Sequence, residues 1–246
     1  MISKILIDPT NTNNIIVAST NGIYRSTNAG ATFTQVQAGS FKDAEFKPGA
    51  PATVYAVGIS FYKSTNSGAS WTSTATGLPA STSVGRMAIA VTAADPSYIY
   101  ILSCKPAANP GYGFEGIYLS TNSGSTFTKK TTSPSNILGW VSAGNDVSAG
   151  GQGFYDLAFA VSPSSKTELL VGGVNIWKST DGGTIFTLHT HWTASGAPLL
   201  HADHHEIEYI NATSYYVSND AGLFKTTNSG GAWTDLSNGL QIAQMY

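Results

Sequence analysis

Charge is scarce in this chain. Lys, Arg, Asp and Glu make up 11% of its 246 residues, and 12 basic against 14 acidic side chains leave a formal net charge of −2. No run of Lys or Arg offers a footprint to a phosphate backbone, so nucleic acid is not an expected partner. Cysteine is reduced to Cys104, which excludes an intrachain disulfide framework and a thiolate zinc site together. It reads as a small buried hydrophobe. No stretch approaches the roughly 18 apolar residues of a spanning helix, so membrane insertion is not expected. The opening MISKILIDPT also lacks the apolar core and cleavage pattern of a signal peptide. An export signal is therefore expected to have been removed or to lie outside this segment.

What is plentiful is turn chemistry and rings. Gly occurs 26 times and aromatics reach 11%, while helix-favouring Lys, Glu and Arg are few, a balance that favours an all-β fold. Ser, Thr and Asn dominate the polar surface, as in secreted bacterial repeat proteins, which points to an extracellular or cell-surface location.

Self-similarity organises the chain. STNAGATF begins at Ser26, STNSGASW at Ser64, STNSGSTF at Ser120, STDGGTIF at Ser179 and TTNSGGAW at Thr226, starting 38, 56, 59 and 47 residues apart. Such a unit is the size of a propeller blade with variable loops. Alternating apolar segments bounded by Gly, Pro and Asn surround each copy, as in KILIDP, NIIVAS, GIYRST and TFTQV of the first unit, and read as strands A to D. The fold expected is a β-propeller of four-stranded antiparallel blades, five of them present, at about 1–38, 39–76, 83–133, 152–193 and 200–240. Residues 241–246 read as the start of a further strand. The whole is expected to be one propeller segment that continues into a larger propeller; the alternative is a closed five-bladed ring.

The repeated motif lies between strands C and D. Asn28, Asn66, Asn122, Asp181 and Asn228 can accept backbone N–H bonds there, the following glycines can take φ > 0, and the Ser or Thr hydroxyls cap nearby amides. Phe33, Trp71, Phe127, Phe186 and Trp233 then open strand D with a ring to bury.

With these residues in view, the repeat resembles the Asp-box, or bacterial neuraminidase repeat, with Asn in place of Asp in four of the five copies. The stretch from GFYDLAFAVSP to the chain's end looks most like the xyloglucanase-like and sortilin-like group. That resemblance implies a module of a long secreted or surface protein, including proteins exported by the type 9 secretion route. Sialidase chemistry, which clamps a carboxylate with several arginines, is excluded because only Arg25 and Arg86 exist.

Ligand sites are expected on the face opposite the repeat, among the B–C and D–A loops, where Asn21, Asp43, Arg86, Glu115, Tyr155, Asp156, Asn175, His201, Asp203, His205, Asn219 and Asp220 fall. All five histidines cluster between His189 and His205. If strand A covers them, His201, Asp203 and His205 share one side by the two-residue period. Such a row could serve a divalent metal, but a hydrogen-bonded polar ladder suits it better, and neither a metal nor another cofactor is expected. Asp220 in NDAG resembles the turn that holds a catalytic aspartate in xyloglucanase-like enzymes, departing from it at Leu223. Asp156 or Asp203 could be the second acid that glycoside hydrolysis requires. His201, His205, Tyr155 and Arg86 are the candidate ligand-binding side chains. The function expected is a rigid binding or scaffold module for a polysaccharide or protein ligand, joined to other domains of its polypeptide. The alternative is a xyloglucanase-like glycoside hydrolase acting on β-glucan.

Overall fold

The computed structural model describes residues 1–74, 76–108, 110–131 and 135–240. Residues 241–246, expected to begin a strand, lie outside them. The chain is a β-propeller of five four-stranded antiparallel sheets. Blade 1 holds β1 (Ile2–Ile7), β2 (Ile15–Ser19), β3 (Gly22–Ser26) and β4 (Thr34–Ala38). Blade 2 holds β5 (Asp43–Phe46), β6 (Val54–Val57), β7 (Phe61–Ser64) and β8 (Thr72–Thr74). Blade 3 holds β9 (Arg86–Val91), β10 (Ile99–Cys104), β11 (Phe114–Ser120) and β12 (Thr128–Lys129). Blade 4 holds β13 (Ala158–Val161), β14 (Leu169–Gly172), β15 (Ile176–Ser179) and β16 (Thr187–Thr190). Blade 5 holds β17 (His204–Tyr209), β18 (Tyr215–Asn219), β19 (Gly222–Thr226) and β20 (Thr234–Asp235). Strands run in sequence order across every sheet. The helical content among the described residues is one 3-10 turn, Ser81–Ser83, and no helix there is long and apolar enough to cross a membrane.

The chain forms two compact units, Met1–Ala107 with Glu115–Thr131, and Ala108–Phe114 with Thr132–Tyr246. In the first, Ile16, Ala18 and Ile23 of blade 1 pack on Ala44 and Ala56 of blade 2, and Tyr55, Val57 and Phe61 pack on Met87, Ile89 and Ile101 of blade 3. In the second, Ala158, Leu170 and Ile176 of blade 4 meet Ile207, Tyr215 and Val217 of blade 5. Strands β6, β10 and β14 are buried along their whole length, as strands covered on both faces must be, and their apolar runs reflect it.

The repeat turn has one hydrogen-bond scheme in all five copies. Ser120 Oγ accepts the Gly124 N–H at 2.9 Å and donates to Asn122 Oδ1 at 2.9 Å, which accepts the Thr126 N–H at 3.0 Å. The residue after the Asn is left-handed too, with φ of 55° to 57° at Ala29, Ser67, Ser123 and Ser229, and 77° at Gly182. In the fourth copy burial would raise the Asp181 carboxyl, but the Ile185, Ser179 and Thr184 donors outweigh it and hold the group below its ordinary range.

The turns of the second, third and fifth copies lean on the preceding blade. A Cβ on Gly68 would strike Ile16, and one on Gly124 would strike Phe61. Phe127 and Phe186 are buried, and Phe127 meets Phe61 edge-on at 5.0 Å. Trp71 and Trp233 are half-buried against their clusters. Phe33 departs from the expected burial, being 44% exposed. It lines an open groove of about 620 Å³ with Ile5, Val17 and Tyr24. Phe127→Ala should therefore destabilise by about 3–5 kcal/mol in denaturant melts. Phe33→Ala should cost less than ~1 kcal/mol, and equal costs would contradict this packing.

Candidate functional site

Four loop segments of the second unit meet at one end of blades 4 and 5. These are residues 136–156, the β14–β15 turn, residues 191–203 and the β18–β19 turn. Asp220, in the last of these, accepts from two side chains. His205 Nε2 lies 2.7 Å from its Oδ1 and Tyr155 OH donates to the same oxygen at 3.3 Å. The Tyr155 ring stands edge-on to the imidazole, centroids 5.0 Å apart. About a third of the His205 and Asp220 side chains remains open to water, 36% and 33%.

Asp203 joins the group from a strained backbone, φ 63°, and Gln152 Nε2 donates to its Oδ1 at 3.3 Å. Burial raises its carboxyl above the ordinary range, the Asp220 charge adds to this, and the neighbouring His205 and His201 oppose it. Two carboxyls thus share one imidazole's neighbourhood.

The expected row of His201, Asp203 and His205 on one strand face is not what forms. β17 begins at His204, the positive φ of Asp203 breaks the alternation ahead of it, and the register shifts between His204 and Glu206. His201 is exposed, its Nδ1 3.2 Å from Ala202 O, and its own carbonyl accepts from Asn219 Nδ2 at 3.1 Å. His204 instead enters the blade and is fully buried, its N–H bonded to Gly173 O at 3.0 Å. Gly172 leaves the room, since a Cβ there would collide with that of His204. Among the described residues neither ring nitrogen of His204 has a hydrogen-bond partner. Asp156 is fully buried in the turn that bonds its N–H to Gln152 O at 3.0 Å, so a dissolved ligand does not reach it. Arg86 opens β9 in the other unit. No group of three or more His, Cys, Asp or Glu side chains suited to a metal occurs among the described residues.

Sequence reasoning missed the amides that hold these loops. Asn136, buried, accepts from Phe114 N at 3.0 Å and donates to Asp146 O and Gly150 O at 2.7 Å each. Asn175, also buried, accepts from Trp192 N at 3.2 Å and donates to Trp140 O at 3.3 Å. Asn175 was legible only as a loop residue, and no local signal marks either amide as a clasp.

No protein-family model and no curated protein matches the chain. Solved structures do, through their fold. The GH74 enzyme of Niastella koreensis aligns with a TM-score of 0.64 at 18% identity, over 93% of this chain and 37% of that one. The GH74 xyloglucanase from Xanthomonas campestris gives 0.63 at 16%, over 92% and 36%. An auxiliary nutrient binding protein from Bacteroides thetaiotaomicron gives 0.61 at 11%, over 95% and 59%. This chain spans about a third of the two GH74 chains. At these identities the shared property is the propeller architecture.

Buried histidines give the second unit an acid-sensitive side. Burial, then the charges of His205 and His201, pushes the His204 imidazole down to about 3. Burial, then Lys178, pushes His189 down to about 4 against the pull of Glu168. Both folded values lie below the unfolded value near 6.5, so the neutral-ring stability is complete above ~6.5 and is lost as pH falls toward them. Melting temperature should fall between pH 7 and pH 4. His204→Leu, which removes a buried ring without hydrogen bonds, should flatten that fall; an unchanged slope would mean His204 does not contribute to it.

Proposed function

We propose that this chain is an extracellular β-propeller module of a larger secreted or cell-surface protein, with turns of the Asp-box kind, and that it binds polysaccharide on the loop face of blades 4 and 5. The carrying observation is the solvent-open group of Asp220, His205 and Tyr155, hydrogen-bonded to one another with Asp203 beside them. Carboxylate oxygens accept sugar hydroxyls, the imidazole and phenol can donate or accept, and a nearly neutral chain suits an uncharged polymer. Membership of a larger polypeptide is supported by the length of the similar GH74 chains, of which this one matches about a third.

A second reading rests on Asp203. A carboxyl with a raised pKa beside a second carboxyl is the arrangement a glycoside hydrolase uses. Asp203 would give its proton to the leaving glycosidic oxygen while Asp220 takes one from the attacking water. The propeller likeness to a xyloglucanase supports that reading, and the likeness to a nutrient binding protein supports the first.

Calorimetry against β-glucan polysaccharides tests the binding module. Wild type should bind, and Asp220→Asn should bind about tenfold more weakly or worse with its melting temperature little changed, since a charge-assisted partner is lost. If no glycan in the series binds, the proposal fails. Release of reducing ends by wild type, abolished by both Asp203→Asn and Asp220→Asn, would move the assignment to the hydrolase.

A further inference from the structure

Two tryptophans on the same loop face sit in water. Trp140 is 45% exposed and Trp192 47%, whereas Trp177, Phe186 and Tyr215 of the same unit are buried; Phe154, at 54%, is exposed as well. They come from different loops, 136–150 and 191–203, and one side chain holds both. Asn175, with no exposed surface, donates to Trp140 O at 3.3 Å and accepts the Trp192 N–H at 3.2 Å. Those two bonds, with the width of one amide, keep Trp140 O and Trp192 N within about 9 Å of each other.

Both loops are fixed independently of that amide. Asn136 ties the first through Asp146 O and Gly150 O, and its own N–H is bonded to Gly144 O at 2.7 Å. The second is pinched at its neck, where His191 N–H bonds Pro198 O at 2.9 Å. His191 Nδ1 accepts from Thr193 N, Thr193 Oγ1 and Ser195 N at 3.1, 3.0 and 3.3 Å, so its ring proton sits on Nε2. The His191 ring is tilted 30° from that of Trp192, centroids 6.3 Å apart. The loops carrying these indoles are therefore ordered before any ligand arrives, which removes most of the ordering cost of binding.

The surroundings identify the ligand's character. Thr193, Ser195 and Asn145, on the same two loops, are exposed. An apolar protein partner would leave such hydroxyls and amides buried and unpaired. A molecule with a flat C–H face and a rim of hydroxyls would cover the indoles and satisfy the rim together. We propose that Trp140 and Trp192, clasped by Asn175, form a stacking platform for pyranose rings whose hydroxyls are all equatorial. This rests on the glycan-binding reading above and adds to it the residues that select the sugar's shape. Asn175 acts as a positioning residue.

The test uses the whole chain with cellohexaose as the probe and an α-1,6-linked mannohexaose, whose axial hydroxyl roughens the ring face, as the comparison. Wild type should bind cellohexaose more tightly and shift its tryptophan fluorescence on binding. Trp140→Ala and Trp192→Ala should each weaken cellohexaose binding about tenfold and shrink the shift, with unchanged melting temperature, and Trp→Phe at either position should recover part of the affinity. Asn175→Ala should weaken cellohexaose binding at 25 °C while Asp220→Asn leaves the fluorescence shift of its remaining complex intact. If both alanine variants bind like wild type while Asp220→Asn does not, the platform is wrong and the glycan reading stands. Equal affinity for the mannohexaose would overturn the shape selection, and a wild type that binds neither sugar would remove the reading and the platform together.

Discussion

A hydroxyl at the end of each third strand sets the terms for the rest of the fold. Ser26, Ser64, Ser120, Ser179 and Thr226 each accept the N–H of the glycine four residues on at 2.9–3.0 Å and give their proton to the Asn or Asp two residues on. That acid or amide oxygen then accepts the N–H at the far side of the turn. Four of the copies hold a non-glycine residue at positive φ, a conformation costing about 1–2 kcal/mol, and it persists because the surrounding bonds over-determine it. The turn then offers bare glycine backbone to the preceding sheet, so Gly230 approaches the ring of His189 as Gly124 approaches Phe61. Blade contact depends on a turn that a single hydroxyl closes.

The same geometry explains the choice between Asn and Asp. In the first three copies the amide nitrogen donates to a hydroxyl four residues on, Asn28 to Thr32, Asn66 to Ser70 and Asn122 to Thr126, each at 2.9 Å. In the fourth, Ile185 stands where that hydroxyl would be, and Asp181, which has no proton to donate, replaces the amide. The fifth copy keeps Asn228 opposite Ala232, so the pairing is a tendency of this chain and not a requirement of the turn.

The strands were legible because each repeat states its alternation and its turn separately, and both agree. Burial of the D-strand rings was legible at Phe127 and Phe186 and failed at Phe33, since exposure depends on what packs beside the strand and not on the residue's own pattern. The site was half legible. Asp220 and His205 lie close because the β18–β19 turn folds back beside the start of β17, a consequence of antiparallel order. The two-residue period misled at His201 and Asp203, where a left-handed residue precedes the strand. The repeat spacing carried a further signal, since the shortest is 38 residues and those of 59 and 47 enclose the two loops that bear Trp140, Tyr155, Trp192 and Asp203.

Those loops are organised by neutral amides. Asn136, Asn175 and Asn219 are buried, and each accepts one backbone N–H and donates to at least one backbone carbonyl of another segment. An amide can do both at once, whereas a carboxylate in the same place could only accept and would carry the desolvation cost of its charge. Irregular backbone over the ends of two blades is thereby held by neutral hydrogen bonds, in keeping with a chain that is 11% charged. Of the ionisable groups of this face Asp156 is buried, while Asp220 and His205 keep about a third of their side chains in water. Rigidity and chemistry are thus assigned to different residue types: buried asparagines set where the loops stand, and partly exposed carboxyls, imidazole and indoles determine what those loops can hold.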